Sequence, residues 1–293
     1  MDYIIDNTNC YLCRSSKYII RPGTVRDNNK LKVLECSECG LVFLSSFKHI
    51  EPTFYEESKM HVKEKTFEIN DWVRESHFDD ERRYNDLKYY LKNRSVLDFG
   101  CGTGGFLKYA KNISKCAEGV EAEKRLFAYY KKNGLTVYNT LSEVKNQYDL
   151  ITLFHVLEHF SDPIDLLVQL KQKLKRNGQI IIEVPNSNDA LLTFYKSKAF
   201  SEFTYWSCHL FLFNNKTLVQ VAERAGLKMA YVKQIQRYPL SNHLYWLVHE
   251  KPGGHEIWHH LNSHDIVKAY ESSLSSLGIC DTIIGNFYNG QEN

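Results

Sequence analysis

The sequence has no apolar run long enough to cross a membrane; its longest, such as Leu150 to Leu157 and Gln179 to Val184, are the size of core strands. It has no charge imbalance either. Its 37 basic and 35 acidic residues leave a net charge of +2, which excludes an overtly polybasic nucleic-acid binder. The opening residues Met1-Asp2-Tyr3-Ile4-Ile5-Asp6 are acidic and lack the basic stretch of a secretory signal, so a cytoplasmic location is expected. Internal repeats and low-complexity tracts are missing, which excludes a collagen-like or disordered chain. What is present is ordinary globular composition, 43% hydrophobic and 25% charged over 293 residues, a length suited to about two domains. Two features stand out: eight cysteines, unevenly spread, and 13% aromatics with 19 tyrosines.

Four cysteines form two C-x-x-C pairs, Cys10 with Cys13 and Cys36 with Cys39, inside a stretch of short strand-like runs and turns that ends near residue 50. Each pair can place two sulfurs on one side of a tight turn, and two such knuckles supply the four-thiolate shell that zinc prefers in structural sites. Gly40, after Cys39, suits the backbone reversal. With four protein ligands, no coordination position remains for water, so this Zn²⁺ is expected to be structural. Disulfides are disfavoured in a cytosolic chain. The other cysteines, Cys101, Cys116, Cys208 and Cys280, are single.

Residues 51–93 turn charged and aromatic, and Leu87 and Leu91 with Tyr84 and Tyr90 predict one helix there, a lid or linker. From Arg94 onward, apolar strands alternate with amphipathic helices. Strands are predicted at Ser95–Phe99, Cys116–Glu121, Thr136–Tyr138, Asp149–Phe154 and Gln179–Val184, with helices between them. That alternation predicts βαβ units and a mostly parallel sheet. Two further runs, Met229–Gln236 and His243–His249, predict an antiparallel hairpin at the sheet edge. Residues 255–293 read as a polar helical extension.

The most informative stretch is Val96-Leu97-Asp98-Phe99-Gly100-Cys101-Gly102-Thr103-Gly104-Gly105. Its glycines let the chain turn sharply out of a strand and pass close to a ligand. Glu121 stands 21 residues after Gly100, at the end of the second strand, where a carboxylate can accept from both hydroxyls of a ribose. Glycine spacing alone does not choose between cofactors. Asp98 does: an acid there repels a pyrophosphate and suits the ammonium of S-adenosylmethionine (SAM), which carries a ribose and no phosphate.

The segment Leu97 to Gly104 resembles motif I of class I SAM-dependent methyltransferases. Tyr148 to His159 is similar to that family's fourth strand and following loop, and Ile182-Glu183-Val184-Pro185-Asn186 to the exit of its fifth strand. His209 to Phe213, Thr217-Leu218 and Ala225-Gly226-Leu227 resemble the segment before the terminal hairpin in one subgroup, whose members often carry an N-terminal cysteine-pair zinc module and act in sugar or surface-glycan pathways. The resemblance implies a Rossmann-like α/β core over residues 94–254, preceded by a small zinc ribbon over residues 1–50. It implies that Asp98, Gly100, Gly102 and Gly104 cradle the methionine part of SAM, that Glu121 binds its ribose, and that Phe154 and His155 lie beneath the sulfonium. Asn139 and Thr140 are expected near the adenine, and Tyr55, with Phe54, resembles an aromatic pair that closes over the cofactor.

Methyl transfer needs an aligned acceptor, dry surroundings and, for a hydroxyl, a base. His155, Glu158 and His159 follow a strand's C-terminal end, where open α/β sheets bind ligands. His159 is the expected base, oriented by Glu158; the alternative is that His159 only caps the following turn while Glu158 is a structural hydrogen-bond acceptor. Tyr205, Trp206 and His209 are expected at the acceptor pocket, with a packed, satisfied His209 as the alternative. His255, His259, His260 and His264 are read as a solvated helix face, and Cys101 as a small residue the loop requires. The expected acceptor is a small hydroxylated or phosphorylated metabolite, such as a nucleotide-linked sugar or glycan precursor. The alternatives are an RNA methyltransferase that uses the ribbon to hold nucleic acid, which the near-zero charge disfavours, and a non-catalytic SAM-fold binding module.

Overall fold

A computed structural model describes residues 3–50 and 68–290. In chain order the strands and helices are β1 (Tyr18–Ile20), β2 (Val33–Cys36), β3 (Val42–Leu44), α1 (Ile69–Leu91), β4 (Ser95–Phe99), α2 (Gly105–Ala110), β5 (Cys116–Val120), α3 (Phe127–Lys132), β6 (Thr136–Tyr138), β7 (Tyr148–Phe154), α4 (Pro163–Gln172), β8 (Leu174–Pro185), α5 (Ala190–Thr193), α6 (Lys198–Thr204), β9 (Phe211–Leu212), α7 (Asn215–Arg224), β10 (Leu227–Ile235), α8 (Leu240–His249), α9 (Gly254–Ile257), α10 (His264–Leu277) and β11 (Thr282–Asn289). Tyr55, expected to close over the cofactor, lies outside the described residues.

The main sheet has the order β10-β11-β8-β7-β4-β5-β6. From β6 to β8 the strands run parallel, while β11 is antiparallel to both β8 and β10. The central strands carry apolar residues on both faces: all of β4 is buried, and so is Ile180 to Val184 of β8. That is what a sheet covered by helices on both sides requires. The edges are protected differently. Strand β6 is only three residues long, and β10 presents the exposed Lys228 and Lys233. This is the α/β, Rossmann-like, mostly parallel sheet with an antiparallel edge that the sequence predicted.

The antiparallel partner is not the expected one. His243–His249 lies within helix α8, and β10 pairs instead with β11, Ile235 opposite Thr282 and Leu227 opposite Asn289. The apolar run in α8 is too short to fix its own period. Its buried residues Ser241, Asn242, Tyr245 and Trp246 follow helical spacing, and Pro239 caps the start. Residues 255–293 are likewise not simply a helical extension. Beyond α10 the chain inserts β11 between β8 and β10, with Thr282 to Phe287 all buried.

The N-terminal strands form a second antiparallel sheet, β1-β2-β3-β9, whose last strand comes from far along the chain. Val42 faces Leu212 and Phe43 faces Phe211. Leu34, Leu41 and Phe43 belong to the same buried cluster as Phe211, Leu153 and Ile182. The boundary near residue 50 is therefore a boundary in sequence, and the apolar core runs through it. If β11 is integral to that core, Phe287→Ala, which empties a fully buried aromatic site, should cost about 3–5 kcal/mol of unfolding free energy by urea denaturation; a loss below about 1 kcal/mol would contradict it.

Candidate active site

The glycine loop leaves β4 with Gly100 at φ +75°, a conformation costly for any residue bearing a Cβ. A Cβ there would also sit 2.4 Å from Val156 Cγ2, because the loop packs against the exit of β7. The Gly102 N–H donates to Glu121 Oε2 at 2.9 Å, and the Glu123 N–H donates to Glu121 Oε1 at 3.0 Å. These bonds aim the carboxylate along the loop and use two of its roughly four acceptor positions, leaving capacity for two ribose hydroxyls. Burial raises the Glu121 pKa above its ordinary value.

Asp98 is buried at the end of β4, where its Oδ1 accepts from the Thr152 hydroxyl at 2.7 Å. Burial pushes its pKa up to about 7, against the opposing hydrogen bond from Thr152. A buried carboxyl that forms no ion pair among the described residues and opens onto a cavity suits a cationic ligand group.

The cavity is about 830 Å³, within the usual range for small-ligand sites. Asp98 to Thr103, Glu121, Asn139, Thr140, Phe154, His155 and His159 all line it, so the structure brings together the described residues predicted from the motif, Gly104 and Glu158 being set just behind the wall. Trp72 and Asp79 of α1 and Arg237 after β10 complete it. No sequence motif marked these three; Trp72 could have been suspected only from the aromatic excess in the segment before β4.

Beneath the cavity lies a charged cluster that sequence reasoning also missed. Glu183 of β8 is completely buried, and its Oε1 accepts from Arg83 at 2.7 Å and from Arg82 at 2.8 Å, both on α1. His155 Nε2 lies 3.3 Å from the same oxygen. Burial alone would raise the Glu183 pKa, but Arg83, His155 and Arg82 hold it well below the carboxylate range. Arg83 also lies over the Phe154 ring, 4.6 Å from its centre. Asp79 joins the cluster to the far loop: it pairs with Arg82 at 3.0 Å and accepts from Arg237 Nε at 3.0 Å, and Arg237 Nη1 reaches His155 Nε2 at 3.1 Å.

His155 holds this junction at φ +56°. Burial disfavours its charged form, yet contacts with Glu158 and Glu183 raise its pKa overall. With Arg237 and Glu183 at Nε2 and Glu158 at Nδ1, its ring has its polar edges occupied.

His159 is arranged differently. Its Nδ1 lies 2.9 Å from the Cys208 carbonyl, which can only accept, so Nδ1 carries the proton and Nε2 holds the lone pair. Burial lowers its pKa, keeping the ring neutral near pH 7. The expectation that Glu158 orients His159 is not met, since the Cys208 carbonyl does so. Glu158 is fully buried, and among the described residues its ion-pair partner is His155, whose Nδ1 stands 3.5 Å from Oε1. His209 packs edge-on against His159 with ring centres 5.0 Å apart.

Tyr205, Trp206 and His209 do not line the cavity. They face β2, β3 and β9 in a small space against the N-terminal sheet, and Trp206 carries Arg26 on its ring at 4.1 Å. Burial depresses the His209 pKa to about 3, as for a packed histidine. Among the described residues two groups of side chains could hold a metal: Cys10, Cys13, Cys36 and Cys39, and His159 with Cys208 and His209. In the first, Cys10 and Cys39 place their sulfurs 3.5 Å apart, and Cys13 and Cys36 3.4 Å apart. The histidines from 255 to 264 form no such group.

Residues 66–232 match the family described as the methyltransferase domain, more than half of the chain. The chain belongs to this family. It is a SAM-dependent methyltransferase, and SAM is the cofactor the family uses. Curated relatives include the ubiquinone biosynthesis O-methyltransferases of Acinetobacter baylyi, 24% identical over 54% of this chain and 72% of the relative, and of Pseudomonas savastanoi, 27% identical over 40% and 58%. The methyltransferase thus spans less than two thirds of the second relative's length. A chain of the complex solved with the Haloferax volcanii Trm112 methyltransferase activator shares the fold at 14% identity and a TM-score of 0.50, covering 77% of this chain and 97% of that one. A SAM-dependent methyltransferase from Archaeoglobus fulgidus is 19% identical with a TM-score of 0.49, covering 74% and 98%. No helix among the described residues is long and apolar enough to cross a membrane.

The charged cluster yields a direct expectation for this methyltransferase. Glu183→Ala leaves Arg82, Arg83 and His155 packed without their common anion and should cost about 3–5 kcal/mol in chemical denaturation. A change below about 1 kcal/mol would mean that the cluster does not hold α1 to the sheet.

Proposed function

We propose that this methyltransferase moves the methyl group of SAM to a hydroxyl of a small, sugar-type metabolite, such as a nucleotide-linked sugar or a glycan precursor. The observation that carries the reading is that one cavity is lined both by the glycine loop with Glu121 and by His159, whose neutral ring holds its lone pair at Nε2. When bound, SAM supplies a methyl carbon already activated by its sulfonium. Glu121 would hold the ribose hydroxyls, Asp98 the ammonium, and Phe154 and His155 would line the reacting end. His159 takes the acceptor's proton while the Cys208 carbonyl keeps its ring in the required tautomer.

A hydroxylated acceptor is favoured over one bound by its phosphates. The two arginines lining the cavity already serve carboxylates, Arg83 serving Glu183 and Arg237 serving Asp79. Carboxylates, among them Asp162, Asp165 and Glu75, also line it. The relatives' names, O-methyltransferases, support oxygen as the acceptor atom. Four converging thiols fit a structural Zn²⁺, bound by Cys10, Cys13, Cys36 and Cys39, and tetrahedral thiolate coordination would account for their close approach.

Two measurements test the site. An ammonium beside Asp98 favours the ionised carboxylate, whereas the free cavity holds it near half-protonation at pH 7. SAM affinity measured by calorimetry should therefore rise about ten-fold from pH 6 to pH 8, with proton release on binding at pH 6. Affinity that is flat or falls with pH would remove Asp98 from the ammonium. The same shift has a stability side: Asp98 contributes most below its unfolded pKa, and that contribution fades as pH rises through about 7. Screening sugars and nucleotide-sugars with SAM, read as a 14-dalton mass gain on the order of one methyl per acceptor, identifies the substrate. With it in hand, His159→Ala should lower kcat about 10²–10⁴-fold while leaving SAM affinity within two-fold. Unchanged turnover would return His159 to a packing role.

A further inference from the structure

The cysteine-bearing segment reaches the wall of the cavity through one side chain. Tyr11 stands between Cys10 and Cys13, inside the first knuckle. Its hydroxyl donates to Asp162 Oδ1 at 2.5 Å and accepts from the Ile164 N–H at 3.2 Å, a link across more than 150 residues of chain. The same Asp162 oxygen accepts the Asp165 N–H at 3.0 Å and so caps helix α4. Asp162, Asp165 and Leu166 line the cavity, as does Phe160 just before them. One hydroxyl thus ties together an acceptor and a donor of the turn that walls the site.

The direction of that hydroxyl is set by the knuckle. The Arg14 N–H donates to the Cys10 carbonyl at 2.9 Å, the Cys10 N–H donates to the Ser15 carbonyl at 2.8 Å, and Arg14 takes φ +63° to close the loop. The Tyr11 ring packs on Phe211 with centres 5.3 Å apart, and the Arg14 guanidinium lies 5.9 Å from the centre of the Tyr11 ring. The sulfurs of Cys10 and Cys13 are the only covalent-strength anchors a bound metal would give this loop.

We propose that Tyr11 is a positioning residue through which the four-cysteine centre sets the cofactor wall. The metal fixes the knuckle, the knuckle aims the Tyr11 hydroxyl, and the hydroxyl holds the Asp162–Asp165 turn in place for SAM. The ribbon is then part of the methyl-transfer site's scaffold. The proposal rests on the cavity as the SAM site and on the cysteine quartet as a zinc site.

Tyr11→Phe tests it, because the ring and its packing stay while the hydroxyl goes. Two readouts on the whole chain are needed: amide hydrogen exchange at Ile164 and Asp165, and affinity for S-adenosylhomocysteine by calorimetry. Coupling through a packed network is typically a 2- to 30-fold effect, so the variant should exchange faster at both amides and bind about 2- to 30-fold more weakly, with zinc still at about one per chain. In an Asp162→Ala background, where only the Ile164 N–H is left as a partner, the same substitution should cost less than it does in the wild type. Removing zinc with a chelator should speed exchange at Ile164 in the wild type.

Faster exchange with unchanged affinity would make the link purely structural and overturn the proposal. So would unchanged exchange, a full additional loss in the Asp162→Ala background, or an Ile164 amide indifferent to chelation. Glu121→Ala separates this from the cavity reading. If that variant binds like wild type, the cofactor site itself is misplaced; if it alone weakens binding, only the role of Tyr11 falls.

Discussion

One buried carboxylate constrains the whole active-site region. Glu183 sits where β8 leaves the sheet, opposite Phe154 of β7, with no exposure to solvent. A charge in that position is tolerable only if cations surround it, and three chain segments supply them: Arg82 and Arg83 from α1 and His155 from the turn after β7. The cluster then extends through Asp79 to Arg237, beyond β10. Helix α1 is anchored along its length: Ile69 and Trp72 pack against the cluster around Cys101 and Leu107, Leu87 and Leu91 are buried at its other end, and between them Arg82 and Arg83 pair with Glu183. Together these contacts keep Trp72 and Asp79 on the cavity wall, and the charged network surrounds His155 in a conformation that a side chain rarely adopts.

A division of labour between the two histidines follows from that constraint. His155 lies within the network and is bound on both ring nitrogens, so it serves the scaffold and the floor of the site. His159, one short turn further on, meets the Cys208 carbonyl and stays neutral. That carbonyl belongs to the strand-turn segment leading into β9, which pairs with β3 of the cysteine-bearing sheet. The environment of His159 is therefore built by the small N-terminal sheet as much as by the Rossmann-like one. The shared apolar core, running from Leu34 and Phe43 to Ile182 and Phe287, makes the two sheets one packing unit.

Much of this was legible in the residues. Local signals carried the glycine loop, Glu121, the cysteine quartet and the parallel strands, because each depends on spacing within a few residues or on a strand long enough to show its burial. The unpredicted parts depend on long-range partners. Glu183 reads as an ordinary strand-exit residue until Arg82 and Arg83, a hundred positions earlier, are seen beside it. Strand β11 has only a short apolar core around its glycine, and its burial comes from two neighbours distant in sequence. The run in α8 fits a strand as well as a helix, because an apolar stretch of that length fits either period. Tyr205, Trp206 and His209 follow the fifth strand in sequence, which points to the acceptor pocket, whereas the fold turns all three toward the cysteine-bearing sheet.

The central claim is that the cavity between the glycine loop and α1 is where SAM binds and reacts. The most direct measurement is a crystal structure of the chain with S-adenosylhomocysteine. The account predicts the ribose hydroxyls against the Glu121 carboxylate, the amino group beside Asp98 and the sulfur facing the Phe154–His159 turn. A ligand bound outside this cavity, or inside it with Glu121 turned away from the ribose, would contradict the account.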